Sequence, residues 1–374
     1  MRAWLQYFEE RRGEIVGLIR QLVERESPSN NKGAANRCAD FIAGEFERRG
    51  GRVRLHRQQN WGDHVEVRFE GGRRPVMLLG HYDTVWDVGT LAQMPWREHD
   101  GRLYGPGVFD MKSGIALMLF VLAGMRERRG DLPRGTIVSL NADEEAGSDG
   151  SRHTTEALAK EAEAVLVLEP AQGTAVKTAR KGVGDYTMKV TGVAAHAGLD
   201  FEKGHSAVLE LARQIERIAA FTDLQRGLTV NVGVIRGGTR TNVIPAEAVA
   251  EVDVRIARLA DAEEIDRKFR GLTPVNPHCK VEITGGINRP PLERTTGVAR
   301  LYEQARGIAA ELGFELGEAA VGGGSDGNFT GALGVPTLDG LGAVGEGAHA
   351  SNESVLVEWL PRRAALLAGM LERV

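Results

Sequence analysis

Three short, mostly apolar runs constrain the fold of this chain more than any other feature. They span residues 76–79, 136–140 and 164–168. A strand that is apolar at nearly every position is typically buried on both faces, as in a parallel sheet covered by helices. Helical patterns at 111–125 and 153–160 separate the runs, and this alternation predicts an α/β fold with a mostly parallel sheet.

Polar side chains follow each run, at the point where the predicted strand ends. His81 and Asp83 come after the first run, and their spacing places both on one face of the chain. Glu144 and Glu145 follow the second run, and Glu169 follows the third. In open α/β sheets the carboxyl ends of the strands border the crevice in which ligands bind. We therefore expect these groups to lie together in an active site.

Two further residues complete the candidate set: Asp110, which follows a glycine-rich turn, and His349 near the C-terminus. Burying so many carboxylates together is unfavourable unless cations compensate them. Imidazole and carboxylate donors predict two zinc ions, with cobalt or manganese as possible substitutes. His81 and His349 would each hold one metal, and Asp110 would bridge the two. Glu145 and Glu169 would complete the two shells.

The remaining two acidic residues receive other tasks. Asp83 is placed to accept the second ring N–H of His81, or to brace the site. Glu144 neighbours a ligand and need not bind metal itself, so it is the candidate general base for the attacking water. A pair of divalent metals would polarise the carbonyl group of a substrate.

Parts of this pattern are also compatible with a purely structural role or with a different kind of site. Taken alone, His81 is more often a packed histidine than a ligand. The turn from Gly322 to Gly327 is a possible phosphate cradle, although it lacks the lysine and the spacing of nucleotide-binding loops. A serine triad through Ser113 or Ser325 is the weakest alternative, because neither serine lies in a nucleophile elbow.

The length of the chain and the change of pattern along it indicate two domains. At 374 residues, two domains are the default count. We predict a catalytic domain formed by residues 1–178 and 289–374. An inserted α+β domain of the ferredoxin-like type interrupts it at residues 179–288, where the strands alternate as in a sheet with one solvated face. The predicted terminal helices span residues 3–24 and 353–371.

Composition and charge exclude several classes of protein. Apolar residues are 42% and charged residues 26%, which is typical of a globular chain and not of a disordered one. The net charge of −4 gives no reason to expect nucleic acid or an anionic membrane as partner. No uncharged apolar run approaches the ~20 residues that span a bilayer, and the N-terminus lacks the features of a signal peptide. Only two cysteines are present, Cys38 and Cys279, which favours a reducing cytoplasm.

The motifs around the candidate residues resemble those of the dinuclear zinc peptidase family that includes glutamate carboxypeptidase, aminoacylase and succinyl-diaminopimelate desuccinylase. The resemblance covers nearly the whole chain, and the turn after Tyr104 and the Glu169-Pro170 pair are most similar to glutamate carboxypeptidase. Its carriers are Gly80-His81-Tyr82-Asp83-Thr84-Val85, the stretch from Tyr104 to Gly114, Asp143-Glu144-Glu145, Leu168-Glu169-Pro170, Ala194-Ala195-His196-Ala197-Gly198 and Asn242-Val243-Ile244-Pro245.

The resemblance implies a role for each candidate residue in the catalytic domain. Glu144 corresponds to the general base and Asp83 to the residue that braces His81. The bond between Asp110 and Met111 is expected to be cis. The implied metal ligands are His81, Asp110, Glu145, Glu169 and His349.

The resemblance also implies functions for the inserted domain, which in this family serves dimerisation and acts as a lid. His196 resembles the histidine that reaches the partner subunit's site and stabilises the oxyanion. Asn242 and Arg289 resemble groups that grip the substrate carboxylate. The implied protein is a cytoplasmic, homodimeric zinc metallopeptidase that acts on a peptide or an N-acyl amino acid. It would cleave an amide bond next to a C-terminal carboxylate, as a glutamate carboxypeptidase-like exopeptidase; the alternative is an aminoacylase or deacylase of N-acyl amino acids.

Overall fold

The computed structural model describes residues 1–130 and 132–374. The chain forms two compact units. Unit 1 comprises Met1–Ala179, Arg294–Val321 and Ser325–Val374, and unit 2 comprises Arg180–Glu293 and Gly322–Gly324.

The elements alternate between helix and strand over most of the described residues. The first helices are α1 (Arg2–Glu10), α2 (Arg12–Val23), α3 (Lys32–Arg48), α4 (Ser113–Arg129) and α5 (Arg152–Glu161). The first strands are β1 (Arg52–His56), β2 (His64–Phe69), β3 (Val76–His81), β4 (Arg97–His99), β5 (Arg102–Tyr104), β6 (Thr136–Asn141), β7 (Ala164–Val167) and β8 (Val176–Arg180). The middle of the chain contains β9 (Gly182–Thr191), α6 (Ala207–Ala219), β10 (Thr229–Gly237), β11 (Glu247–Ile256), α7 (Ala260–Arg270) and β12 (Lys280–Arg289). The last elements are α8 (Thr296–Leu312), β13 (Glu318–Val321), α9 (Gly327–Ala332), β14 (Thr337–Leu338), β15 (Gly345–Glu346), β16 (Ser354–Leu356) and α10 (Trp359–Arg373).

The main sheet of unit 1 has six strands in the order β1-β2-β6-β3-β7-β14. The pairs β6–β3, β3–β7 and β7–β14 are parallel, whereas β1 and β2 are added in antiparallel fashion at one edge. The predicted mostly parallel sheet is confirmed, and its three apolar runs are the neighbouring strands β6, β3 and β7. Their carboxyl ends therefore meet at the same edge of the sheet.

Both faces of the main sheet are covered at its centre, which explains why β6, β3 and β7 are mostly apolar. Val76 and Leu78 of β3 pack into the larger core together with helices such as α4 and α10. Met77 and Leu79, which point the other way, pack into a smaller cluster that includes Leu158 of α5. The alternation of side chains along one strand thus supplies two separate cores.

The single helix predicted at residues 3–24 is wrong, because the chain forms α1 and α2 instead. Arg11, between them, has φ −101° and ψ 9° and does not continue the helix. The two helices bury separate apolar sets, which include Trp4 and Phe8 in α1 and Ile15 and Leu18 in α2. Arginines occupy the positions where a continuous apolar stripe would need a buried residue.

The helix predicted at 353–371 also needs correction. Its first residues form the strand β16, which pairs with β5 in a small sheet of order β15-β16-β5-β4. The helix α10 starts only at Trp359, and Pro361 lies in its first turn, where proline is tolerated. Likewise, α4 starts at Ser113, after an irregular π-type turn at Val108–Lys112.

One stretch, Val108–Arg129, is long and apolar enough to cross a membrane by length and composition. The sequence predicts no such stretch when only runs without charged residues are considered. In the structure, 89% of an 18-residue window within this stretch is buried. The stretch is α4 with its preceding turn, and buried core helices commonly have this composition.

Unit 2 contains a four-stranded antiparallel sheet of order β10-β11-β9-β12 and the helices α6 and α7. The chain order of these elements, β-α-β-β-α-β, is that of the ferredoxin-like fold. Unit 2 extends beyond the predicted boundary at residue 288 to Glu293. One reason is that Leu292 and Arg180 exchange two backbone hydrogen bonds of 2.9 and 3.0 Å.

Candidate metal centre and active site

The central strand β3 delivers the first candidate residue to the carboxyl edge of the sheet. His81 is the last residue of β3 and lies in register with Asn141, the last residue of β6. Its side chain is 1% exposed. Glu169 follows β7 by two residues, so two neighbouring parallel strands place these donors side by side.

Three residues form the inner cluster: His81, Asp110 and Glu169. Nε2 of His81 lies 3.2 Å from Oδ1 of Asp110 and 3.3 Å from Oε1 of Glu169. One donor atom of each residue lies within 4.8 Å of the others, which is close enough for a single metal ion.

Three residues form the outer cluster: Asp110, Glu145 and His349. Nε2 of His349 lies 3.1 Å from Oε1 of Glu145 and 3.5 Å from Oδ2 of Asp110. These donors also lie within 4.8 Å of one another. His349 has a positive φ of 61° and a side chain that is 50% exposed, because it lies on a loop and not at a strand end.

Asp110 belongs to both clusters and presents a different oxygen to each histidine. It lies in the irregular turn before α4, with φ −113° and ψ 96°. The expected cis bond between Asp110 and Met111 is confirmed. The structure thus brings together all five residues predicted as ligands from the sequence, and a different carboxylate oxygen of Asp110 faces each histidine.

The charges of the clusters favour a cation at each histidine. Burial lowers the pKa of His81, but its contacts with Asp110, Asp83 and Glu169 outweigh burial and raise the pKa well above the ordinary value. Hydrogen bonds to Asp110 and Glu145 raise the pKa of His349 to about 10. Burial tends to raise the pKa of Asp110, yet the two imidazoles hold it well below its usual range. Carboxylates that favour positive charge so strongly, combined with imidazole nitrogen donors, fit two divalent metals.

Asp83 braces the site differently from the simplest expectation. Nδ1 of His81 lies 3.0 Å from the backbone oxygen of Asp83 and 3.4 Å from its carboxylate. The fully buried carboxylate of Asp83 instead accepts hydrogen bonds from the backbone N–H groups of Glu144 and Glu145, at 3.2 and 3.1 Å. Ser29 donates a further bond of 2.6 Å. One residue therefore orients both His81 and the turn that carries the two glutamates.

Glu144 lies in the short helical turn Glu144–Ala146 and is half-buried. It precedes Glu145 of the outer cluster but belongs to neither donor group within the described residues. Its backbone is fixed by Asp83, so its side chain starts from a defined position beside the clusters. This placement suits a group that transfers a proton and does not hold a metal.

One buried carboxylate next to the site, that of Glu353, is not among the residues predicted from the sequence. It accepts hydrogen bonds from backbone N–H groups of the turn that contains Asp110. The available signal is an acidic residue directly before the apolar strand β16. That signal is ambiguous, because acidic residues are also common at helix starts.

Three of the functional residues predicted from the sequence lie in unit 2: His196, Asn242 and Arg289. His196 is exposed, and its Nδ1 accepts backbone N–H groups of Gly198 and Leu199, each at 3.1 Å. Asn242 is also exposed, and its backbone oxygen accepts a hydrogen bond from Ala197. Arg289 ends β12 and is 6% exposed. Thus His196 and Asn242 lie on adjoining loops of unit 2, whereas Arg289 is a buried residue at the end of a strand.

The alternative sites gain no support from the side chains involved. Ser113 and Ser325 are buried, and their hydroxyls donate to Val108 and Asp339, respectively. In the glycine-rich turn, the backbone oxygens of Gly323 and Gly324 accept hydrogen bonds from Arg180. A phosphate cradle requires backbone N–H groups that point at the ligand, so these oxygens do not build one.

Comparison with known proteins identifies the family. Residues 77–373 match the model of peptidase family M20/M25/M40. The chain belongs to this family. It is 30% identical over 367 residues to carboxypeptidase G2 of Pseudomonas sp. (strain RS-16), covering 96% of this chain and 88% of that protein. It is 27% identical over 325 residues to succinyl-diaminopimelate desuccinylase of Dechloromonas aromatica (strain RCB), covering 81% of this chain and 85% of that protein.

A solved M20 structure shows the same fold. A dinuclear metal-binding peptidase from Bacillus subtilis superposes with a TM-score of 0.71 at 16% identity, covering 97% of this chain and 98% of that chain. The family and the fold together establish this M20 protein as a hydrolase of the metallopeptidase type. Among the described residues, the inner and outer clusters are groups whose donor atoms lie close enough together to hold metal ions.

Proposed function

We propose that this M20 protein is a dinuclear zinc exopeptidase that releases a C-terminal amino acid, with glutamate as the preferred residue. The single observation that carries the proposal is Asp110, which presents Oδ1 to His81 and Oδ2 to His349. A carboxylate shared in this way suits a two-metal centre, and the likeness to carboxypeptidase G2 supports the reaction and the substrate class. Cobalt or manganese would suit the same donors.

The proposed mechanism assigns a task to each residue of the site. His81, Asp110 and Glu169 would hold one metal, and Glu145 and His349 would hold the other together with Asp110. When bound, the two metals would supply Lewis acidity that activates water and polarises the amide carbonyl. Glu144 takes a proton from the attacking water and passes it to the leaving amine, which restores the carboxylate for the next cycle. Asp83 keeps Glu144 and His81 in place through its hydrogen bonds.

We assign the remaining functional groups to unit 2. His196 stabilises the oxyanion of the tetrahedral intermediate, and Asn242 holds the substrate carboxylate. Their exposure on adjoining loops supports these roles. Arg289 is proposed as a second carboxylate-binding group, and a guanidinium is well suited to this task. Its low exposure requires that the substrate approach the end of β12.

The rival function is deacylation of N-acyl amino acids, which is favoured by the likeness to succinyl-diaminopimelate desuccinylase. Both reactions cleave an amide bond beside a carboxylate, so the same residues serve either. Zinc-loaded protein should be tested against pteroyl-glutamate, peptidyl-glutamate, N-succinyl and N-acetyl amino acids. Release of glutamate as the fastest reaction supports the proposal. Faster release of succinate or acetate would establish the deacylase instead.

We further propose that unit 2 forms a homodimer through β10 and α6. β10 is an edge strand, and its Ile235 is 62% exposed. On α6, Val208 and Leu209 are 40% and 54% exposed. Unpaired strand edges and exposed apolar side chains mark association surfaces. Light scattering should give twice the chain mass for the native protein and a single chain mass for Ile235→Lys. A monomeric native protein, or an Ile235→Lys variant that is still dimeric, would contradict the assignment.

We also propose a cytoplasmic location. Cys38 and Cys279 are both buried free thiols, as is common where glutathione keeps cysteines reduced. Fractionation of the native cells should place the protein with cytoplasmic markers, and recovery outside the cytoplasm would contradict this proposal.

A further inference from the structure

Glu353 is a carboxylate with 1% residual exposure and an unusually complete set of hydrogen-bond donors. Its Oε1 accepts from the backbone N–H groups of Phe109 and Asp110, at 2.8 and 3.0 Å. Its Oε2 accepts from the backbone N–H of Gly107 and from the indole N–H of Trp86, both at 2.9 Å. All four donors come from a part of the chain that is more than 240 residues away in sequence.

Three of these donors belong to the irregular turn that carries Asp110. Regular helices and strands pair their own N–H groups, but an irregular buried turn needs an external acceptor. Successive N–H groups that point inward form a concave anion-binding nest, and the carboxylate of Glu353 fills it. The backbone position of Asp110 therefore depends on a side chain from the far end of the chain.

The same side chain is connected to the other ligand loop. Glu353 follows His349 by four residues, and the intervening backbone is closed by two turns. The N–H of Ala350 bonds to the oxygen of Gly347, and the N–H of Glu353 bonds to the oxygen of Ala350, both at 2.9 Å. Glu353 thus joins the segment that presents His349 to the turn that presents Asp110.

We propose that Glu353 is a positioning residue that sets the distance between Asp110 and His349 and thereby maintains the outer cluster; this role rests on the proposed dinuclear function. The inner cluster depends on it less, because His81 and Glu169 are held at the ends of β3 and β7. In the outer cluster, both Asp110 and His349 lie on segments that Glu353 connects. Loss of its carboxylate should therefore weaken one metal site selectively.

Cobalt binding to the full chain tests this role without relying on activity. Metal-free native protein, Glu353→Gln and Glu353→Asp are titrated with Co²⁺ and followed by visible absorption, with folding checked by circular dichroism. Glu353→Gln should bind the first equivalent as the native protein does and the second about 10–100-fold more weakly, the usual effect of losing an outer partner of a metal ligand. Glu353→Asp retains the charge on a shorter side chain and should lie between the two. It also carries the test if Glu353→Gln does not fold.

Glu358→Gln is the matched control, because this exposed carboxylate lies on the same segment and contacts only Arg362 among the contacts described. It should bind both equivalents normally. In zinc-loaded Glu353→Gln, kcat should fall more than KM changes, because the substrate-binding groups of unit 2 are untouched. Native affinity and an unaltered cobalt spectrum for the second equivalent in a folded Glu353 variant would overturn the positioning role. A native protein that binds fewer than two Co²⁺ ions would overturn the proposed dinuclear function, a different result.

Discussion

The inner and outer clusters share Asp110 but hold their histidines in opposite surroundings. The side chain of His81 is 1% exposed and ends a central strand, whereas that of His349 is 50% exposed and lies on a loop. The inner cluster is built into the sheet, and the outer cluster is assembled on it by loops. Metal held by the outer cluster should therefore exchange more easily, and damage to the inner cluster should affect the fold as well as the metal.

The largest expected effect comes from a residue that belongs to neither cluster. Glu144→Gln should lower kcat by about 10²–10⁴-fold, the usual contribution of a general base. Metal content should remain near two per chain, since the donors of both clusters are intact. Activity assays and metal analysis on the same preparation check this. Near-native turnover would remove Glu144 from the mechanism, and loss of metal would make it a ligand.

Replacing each histidine in turn should show that His81 contributes more to the free energy of unfolding than His349 does. His81→Ala leaves Asp110 and the buried Glu169 without their imidazole partner, which should lower the free energy of unfolding of metal-free protein by about 3 kcal/mol. His349→Ala removes a half-exposed side chain and should cost less than about 1 kcal/mol. Urea denaturation of the metal-free proteins measures both. Equal losses would show that the surroundings of the clusters do not differ as described.

The buried residue His64 should make the free energy of unfolding depend on pH. Nδ1 of His64 accepts a hydrogen bond from the backbone N–H of Ala142, and burial lowers the pKa of His64 to about 4. Below pH 6.5 the unfolded chain takes up a proton that the folded chain refuses, so stability falls as the pH falls from 6.5 to 4. The loss should approach about 2–3 kcal/mol. In His64→Gln this part of the pH dependence should disappear, whereas His99→Gln, at an exposed histidine, should behave as the native protein does.

Chelation should reveal the smallest difference between the clusters. With an excess of chelator, the metal should leave in two phases, and the faster phase should correspond to the exposed outer cluster. We expect the two rates to differ by about tenfold, equivalent to ~1.4 kcal/mol in barrier height. Stopped-flow measurements with a metal-sensitive dye give both rates. Restored zinc should restore activity, and a single phase for both ions would contradict the distinction.

The sequence predicts the inner cluster better than the outer one, for a physical reason. Apolar runs and side-chain alternation place His81 and Glu169 at strand ends, and parallel pairing brings strand ends together. His349 follows no such rule, because local sequence patterns do not determine where a loop lies in the fold. Its assignment relies on the chemistry of the donor set and on the family resemblance.

The features that the sequence analysis missed or predicted wrongly are likewise ones that local sequence patterns do not determine. The break at Arg11 depends on which neighbours cover α1 and α2, and Glu353 looks like a helix start until its distant N–H partners are known. The bracing of His81 through the backbone oxygen of Asp83 is equally invisible, because sequence spacing shows side-chain faces and not the direction of a carbonyl group.

The buried helix α4 has a consequence for synthesis of the protein. A ribosome delivers this apolar segment early, but α10, which packs against it, emerges more than half of the chain's length later. Until then α4 must be sheltered by chaperones or by transient contacts. A chain truncated before α10 would leave the side of α4 that packs against α10 permanently uncovered, so loss of the C-terminal helix should produce aggregation rather than a partly active enzyme.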